Sequence, residues 1–206
     1  MISSNIDHVP GNKGRKLPPE PLTAEEVKAL IRACSKRAAT GVRNRGLIVV
    51  LYRAGLRVSE ALALMPKDLD AQASTVRVLH GKGDCHRVVG LDAGAWAIVQ
   101  LWLDRRAAIG INGHAPVFCT LQGRRVTPAY VRTLLPRLAR KAGIEKRVHA
   151  HGLRHTHAFE LASEGTPLHV IQAQLGHASL ATTDRYVRHL HPAALVETMK
   201  ARAWSL

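Results

Sequence analysis

Thr75-Val-Arg-Val-Leu79 and Cys85-His-Arg-Val-Val-Gly-Leu91 are short β-branched runs on either side of Gly81-Lys-Gly-Asp84. Their composition and the glycine-rich turn between them predict a β-hairpin, with Leu69–Ala71 as a candidate third strand. Away from this segment the apolar spacing is that of helices. Upstream, Thr23-Ala-Glu-Glu26 reads as a capping box that opens a helix running to about Ala39. A second helix is expected over about Val42–Ala54, closed by Gly55 as a left-handed cap, and a third over about Val58–Leu64. Downstream, helices are expected at about Gly94–Ala108, Thr127–Ala142, Leu153–Ser163, Pro167–Leu175, Ala181–His189 and Pro192–Ala203, with Gly143 and Gly165 as C-caps. The fold class is therefore mainly α with one small antiparallel β-sheet, an α+β domain.

Residues 1–20 have no apolar period and carry Pro10, Pro18, Pro19 and the basic run Lys13–Lys16, the pattern of an arm or linker. Residues 21–206 form the expected folded domain, including a tail helix over about 192–203. Hydrophobic residues make up 46% of the chain and aromatics 4%, so Leu, Val, Ile and Ala must build the core. The longest apolar run, Gly46–Tyr52, is too short to span a bilayer, and no signal-peptide pattern opens the chain. A cytoplasmic, nucleoid-associated protein is expected. Cys34, Cys85 and Cys119 form no CxxC pair and read as buried or incidental thiols. Thirty Lys and Arg against fifteen Asp and Glu leave a net charge of +15, a field that attracts a polyanion such as nucleic acid.

Chemistry concentrates in three clusters: Ala54-Gly-Leu-Arg-Val-Ser-Glu60, His151-Gly-Leu-Arg-His155, and Leu175-Gly-His177 followed by Tyr186. Together with Lys82 in the hairpin turn, over about Leu22 to Pro192, they resemble the tyrosine recombinase (phage integrase) family. A lone LGH or GLR is common; the ordered set of Arg, Lys, His-x-x-Arg, LGH and Tyr is specific. The resemblance implies that family's catalytic-domain fold.

It also implies a role for each residue. Arg57 and Arg154 meet the negative charge that develops on the non-bridging oxygens of a phosphodiester under attack, a task suited to a permanently charged, forked donor. His177 donates to the same phosphate or steadies Tyr186. Tyr186 is the nucleophile, and His151 accepts its proton, because a phenol of pKa about 10 stays protonated at neutral pH without help. Lys82, at the glycine-flanked hairpin tip, protonates the departing 5′ oxygen. Glu60 buttresses Arg57, and His155 packs or bonds to backbone. The other tyrosines read as packing residues, Tyr52 in the core and Tyr130 in the first turn of an amphipathic helix.

The implied function is site-specific DNA recombination through a 3′-phosphotyrosyl intermediate, without metal, ATP or other cofactor. The histidines at 149, 151, 155 and 157 lack a fixed acidic or cysteine partner, which speaks against a zinc site. Implied partners are double-stranded DNA with inverted-repeat sites and further copies of the chain, a monomer in free solution assembling to a tetramer on synapsed DNA, with no membrane. A type IB topoisomerase uses nearly the same residues to relax DNA, and a DNA-binding accessory protein could keep the fold without the activity. Family members commonly carry a helical DNA-binding domain before the catalytic one. The short segment before the first helix here fits a fragment, or a short member resembling fimbrial phase-switch recombinases.

Overall fold

The computed structural model describes residues 20–79, 86–176 and 199–200. Helix α1 (Ala24–Arg32) opens on the expected capping box: Thr23 Oγ1 accepts from the Glu26 amide at 3.1 Å, and Glu26 Oε2 accepts from the Thr23 amide at 2.6 Å. It ends well short of Ala39. The Ser35 hydroxyl accepts from the amides of Arg37 and Ala38, at 3.3 and 3.1 Å, and this local bonding competes with the helix. Helix α2 (Ala39–Arg53) consequently starts three residues earlier than its apolar pattern suggests.

Helix α2 is the centre of the domain. Leu47, Ile48, Val50 and Leu51 are fully buried, each contributing about 1.5–3 kcal/mol through the area removed from water. Helix α4 (Ala93–Ala108) packs along α2, and its Trp102 donates from Nε1 to the Val117 carbonyl at 2.6 Å. That bond anchors a buried stretch, Val117–Cys119, for which periodicity predicts no element; it is a single β-bridge, Cys119 to Arg125. The core continues into α3 (Val58–Ala63), α5 (Pro128–Lys141, capped by Thr127) and α6 (Ala150–Ser163). Helix α6 begins three residues before Leu153, the expected start. Its first turn carries the exposed His151 and so shows no apolar period.

The hairpin and third strand form one antiparallel sheet in the order β1 (Leu69–Asp70), β2 (Thr75–Val78), β3 (Arg87–Gly90). Val76 faces Val89, both buried, and Thr75 pairs with Gly90; the strand order puts β3 at an edge of the sheet. Helix α7 (Leu168–Leu175) rests on α6 through a small separate cluster, Ala158, Ile171 and Leu175. Gly143 and Gly165 take positive φ at the ends of α5 and α6, as expected of C-caps. The Gly81–Asp84 turn, the Ala181–His189 helix and the arm over residues 1–19 lie outside the described residues. Of the tail helix over 192–203 only Met199 and Lys200 are described, and both are helical.

Candidate active site

Gly55 ends α2 with φ +62°, a conformation in which a Cβ would lie 2.7 Å from Leu175 and 2.8 Å from His157. The tight turn lets Leu56 return to the core and delivers Arg57 to the N-cap of α3. Arg57 is held from two sides. Its Nη1 donates to Glu60 Oε1 at 2.7 Å, and its Nη2 to the Gly176 carbonyl at 3.2 Å. Its side chain keeps 29% exposure, so the guanidinium stays open to a ligand.

Arg154 is 1% exposed on α6, donating from Nη1 to the Gly55 carbonyl at 2.6 Å and from Nη2 to the Leu175 carbonyl. One guanidinium thus joins the residues that lead into Arg57 and into Gly176, bringing three sequence clusters to one place. His151 lies one turn earlier, its ring edge-on to that of His155 with centroids 4.2 Å apart. Partial desolvation first, then the charges of Arg154, His149 and Arg57, hold the His151 imidazole below its ordinary pKa. A neutral ring at pH 7 can accept a proton. Lys82, His177 and Tyr186 lie outside the described residues; His177 follows directly after Gly176, which caps α7 at φ +64°.

Glu60 is 3% exposed and bonds to both Arg57 and Arg87. Burial alone would raise its carboxyl, but the Arg87 fork, the Arg57 amide, the charge of Arg87 and the Arg57 side-chain bond outweigh it and hold the pKa at about 2. Arg87, on β3, is a site residue that sequence reasoning missed. It donates to Glu60 Oε1 at 3.0 Å and Oε2 at 2.8 Å, and from Nε to the Gln174 carbonyl at 3.3 Å. In a strand read as a β-branched run an arginine looks like a solvent-facing position, and only the packing of α7 over β3 turns it inward.

Tyr52 and Tyr130 are both committed elsewhere. Tyr52 is buried and donates to Glu160 at 2.5 Å, and burial followed by that carboxylate pushes its phenol well above the ordinary value. Tyr130 Oη accepts from Arg43 at 2.7 Å and Asn44 at 2.9 Å, tying α5 to α2. Cys34 and Cys119 are free and buried, and Cys85 lies outside the described residues. Among the described residues no three His, Cys, Asp or Glu gather as a metal would require.

A mainly helical domain with a three-stranded antiparallel sheet, its Arg57, His151 and Arg154 gathered where α2 and α7 end against α6, has the architecture of a tyrosine recombinase catalytic domain. The phage integrase family matches residues 20–192, and the chain belongs to that family. It is 37% identical over 170 residues to tyrosine recombinase XerD of Ralstonia nicotianae, covering 82% of this chain and 55% of that protein. It is 32% identical over 200 residues to XerD of Halalkalibacterium halodurans, covering 91% and 67%. The XerA recombinase crystal structure superposes with a TM-score of 0.77 at 34% identity, covering 95% of this chain and 70% of that one. The XerH recombinase bound to its palindromic difH substrate gives 0.72 at 31%, covering 89% and 53%. The chain spans between 55% and 67% of the length of these curated relatives. No helix among the described residues is long and apolar enough to cross a membrane.

Proposed function

We propose that residues 21–206 are the catalytic domain of a site-specific DNA recombinase, with residues 1–20 as a basic arm, acting by transesterification. Tyr186 attacks the scissile phosphorus while His151 takes the phenolic proton. Arg57, Arg154 and His177 bear on the non-bridging oxygens, where negative charge accumulates. The P–O5′ bond breaks, Lys82 gives the departing oxygen its proton, and a 3′-phosphotyrosyl link remains. A 5′ hydroxyl from a second strand reverses the steps, conserving the bond energy without ATP or metal. The substrate is double-stranded DNA with inverted-repeat sites, on which monomers assemble to a tetramer, in the cytoplasm and at the nucleoid.

The observation that carries this reading is the Arg154 guanidinium bonded to the carbonyls of Gly55 and Leu175. Through it the turn that leads into Arg57 and the turn that leads into His177 are tied to the helix that carries His151, which supports a phosphoryl-transfer site. The test is a nicked duplex that loses its short 5′ fragment on cleavage. The wild-type chain should trap a covalent protein–DNA adduct, and Tyr186→Phe should bind the same DNA and form none. An adduct with the Phe variant would assign the nucleophile elsewhere.

A further inference from the structure

We propose that Arg87 is a positioning residue of this site, keeping Glu60 from neutralising Arg57. The inference rests on the recombinase reading above. Glu60 faces two guanidinium groups at once. Oε1 accepts from Arg57 Nη1 and Arg87 Nη1, at 2.7 and 3.0 Å; Oε2 accepts from the Arg57 amide and Arg87 Nη2, at 2.9 and 2.8 Å. Arg87 makes the two-pronged fork, and Arg57 is left with one side-chain bond to the carboxylate. That division matters because a buried carboxylate with a single arginine beside it pairs as a bidentate fork. Without Arg87, Glu60 would draw in both ends of the Arg57 guanidinium, cancel its charge and turn its donors from the phosphate. With Arg87 in place, Glu60 and Arg87 balance each other, and the charge of Arg57 remains for the DNA.

The packing holds Arg87 in this role. Its side chain is 11% exposed, and the turn at Gly176 lies directly on it: a Cβ there would come within 2.8–3.0 Å of Arg87 Cδ, Nε and Cζ. The Gly176 carbonyl also receives Arg57 Nη2, so the arginine that divides Glu60 also supports the backbone that bonds Arg57 from the other side.

The experiment is single-turnover cleavage at saturating DNA. Arg87→Met should slow the step by about ten- to a hundredfold, the effect of a misplaced catalytic group. Arg87→Lys, which keeps the charge but not the fork, should fall between Arg87→Met and wild type. Adding Glu60→Gln to Arg87→Met removes the charge that captures Arg57, so the double variant should be faster than Arg87→Met alone. On a scissile methylphosphonate, whose linkage is neutral, the Arg87→Met defect should shrink to within about threefold. A double variant slower than either single, or equal defects on both substrates, would reduce Arg87 to a structural residue. Independently of activity, the Arg57 Nε–H resonance of the 15N-labelled chain should shift in Arg87→Met. If it does not move, the proposal fails even where cleavage is normal. A wild-type chain that forms no adduct counts against the recombinase reading, and the resonance still decides where Arg57 is held.

Discussion

Arg154 is the second-largest of the fully buried side chains among the described residues, yet its chemistry is that of a surface cation, and the carbonyls of Gly55 and Leu175 are among the groups that meet its charge. Its neighbour His157 meets the opposite condition. It is 4% exposed, neither ring nitrogen has a hydrogen-bond partner among the described residues, and burial, followed by the charges of Arg53 and Arg154, pushes its pKa down to about 4. The unfolded chain, with an ordinary value of 6.5, therefore takes up the proton first as the pH falls. The stability His157 permits is whole above about pH 6.5 and is lost toward pH 4, a change of about 3 kcal/mol. His157→Leu should be at least as stable as wild type at pH 7.5 and should flatten the decline in Tm between pH 6.5 and 4. Parallel declines in the two proteins would show that another group titrates. Lys82 allows an equally specific test. If it protonates the leaving oxygen, replacing that oxygen by sulfur should restore cleavage to Lys82→Ala, since a thiol of pKa about 8.5 leaves unaided. The sulfur should not help Arg57→Ala or Arg154→Ala if, as proposed, their target is charge on the non-bridging oxygens. Equal impairment of Lys82→Ala on both substrates would make it a binding residue.

Helix α7 carries the residues that lead into His177, but its apolar contact is small: Ile171 and Leu175 against Ala158, with Leu161 and Ala162 at the margin. Polar pins compensate. The Gln174 amide closes on the free edge of β3, accepting from the Gly90 amide at 3.0 Å and donating to the Gly90 carbonyl at 3.0 Å, while Arg87 and Arg154 hold the carbonyls of Gln174 and Leu175. The same bonds cover an edge strand that would otherwise expose unpaired backbone. Gln174→Ala should loosen α7 selectively, by about 1–2 kcal/mol, for it loses the two bonds to Gly90 and a long one from Nε2 to the Ala54 carbonyl at 3.5 Å. Amide exchange over residues 168–175 should accelerate about tenfold, with exchange in α2 unchanged. Equal acceleration in both helices would mean that α7 opens only when the whole domain unfolds.

For the whole molecule the dominant property is charge. On the proposed function, a net +15 over 206 residues would draw DNA through its phosphates, each contact releasing a counterion on binding. Affinity for duplex DNA should fall about a hundredfold or more between 50 and 200 mM salt. A Kd that hardly changes would refute an electrostatic binding mode. Fusing a helical clamp domain to the N-terminus should raise affinity more than it raises the single-turnover cleavage rate.

Local signals carried the helices and the sheet. The Thr23–Glu26 capping box, the Gly55 turn and the Thr75–Val78 and Arg87–Gly90 strands are written in near neighbours, whose spacing reports on backbone geometry. The family motifs named Arg57, Glu60, His151 and Arg154 for the same reason: each sits in a short contiguous cluster. Where α1 stops was less legible, because a single Ser35 hydroxyl decides it against a permissive pattern. Arg87 and Gln174 were invisible in the sequence. Their meaning depends on bonds to Glu60 and Gly90, 27 and 84 residues away along the chain, made only when α7 packs across β3. Periodicity can say that a strand forms and which face is apolar. Which charged side chain ends up between two segments of the candidate site is decided by the packing of elements remote in sequence, because a buried charge is stable only where tertiary structure brings its partner.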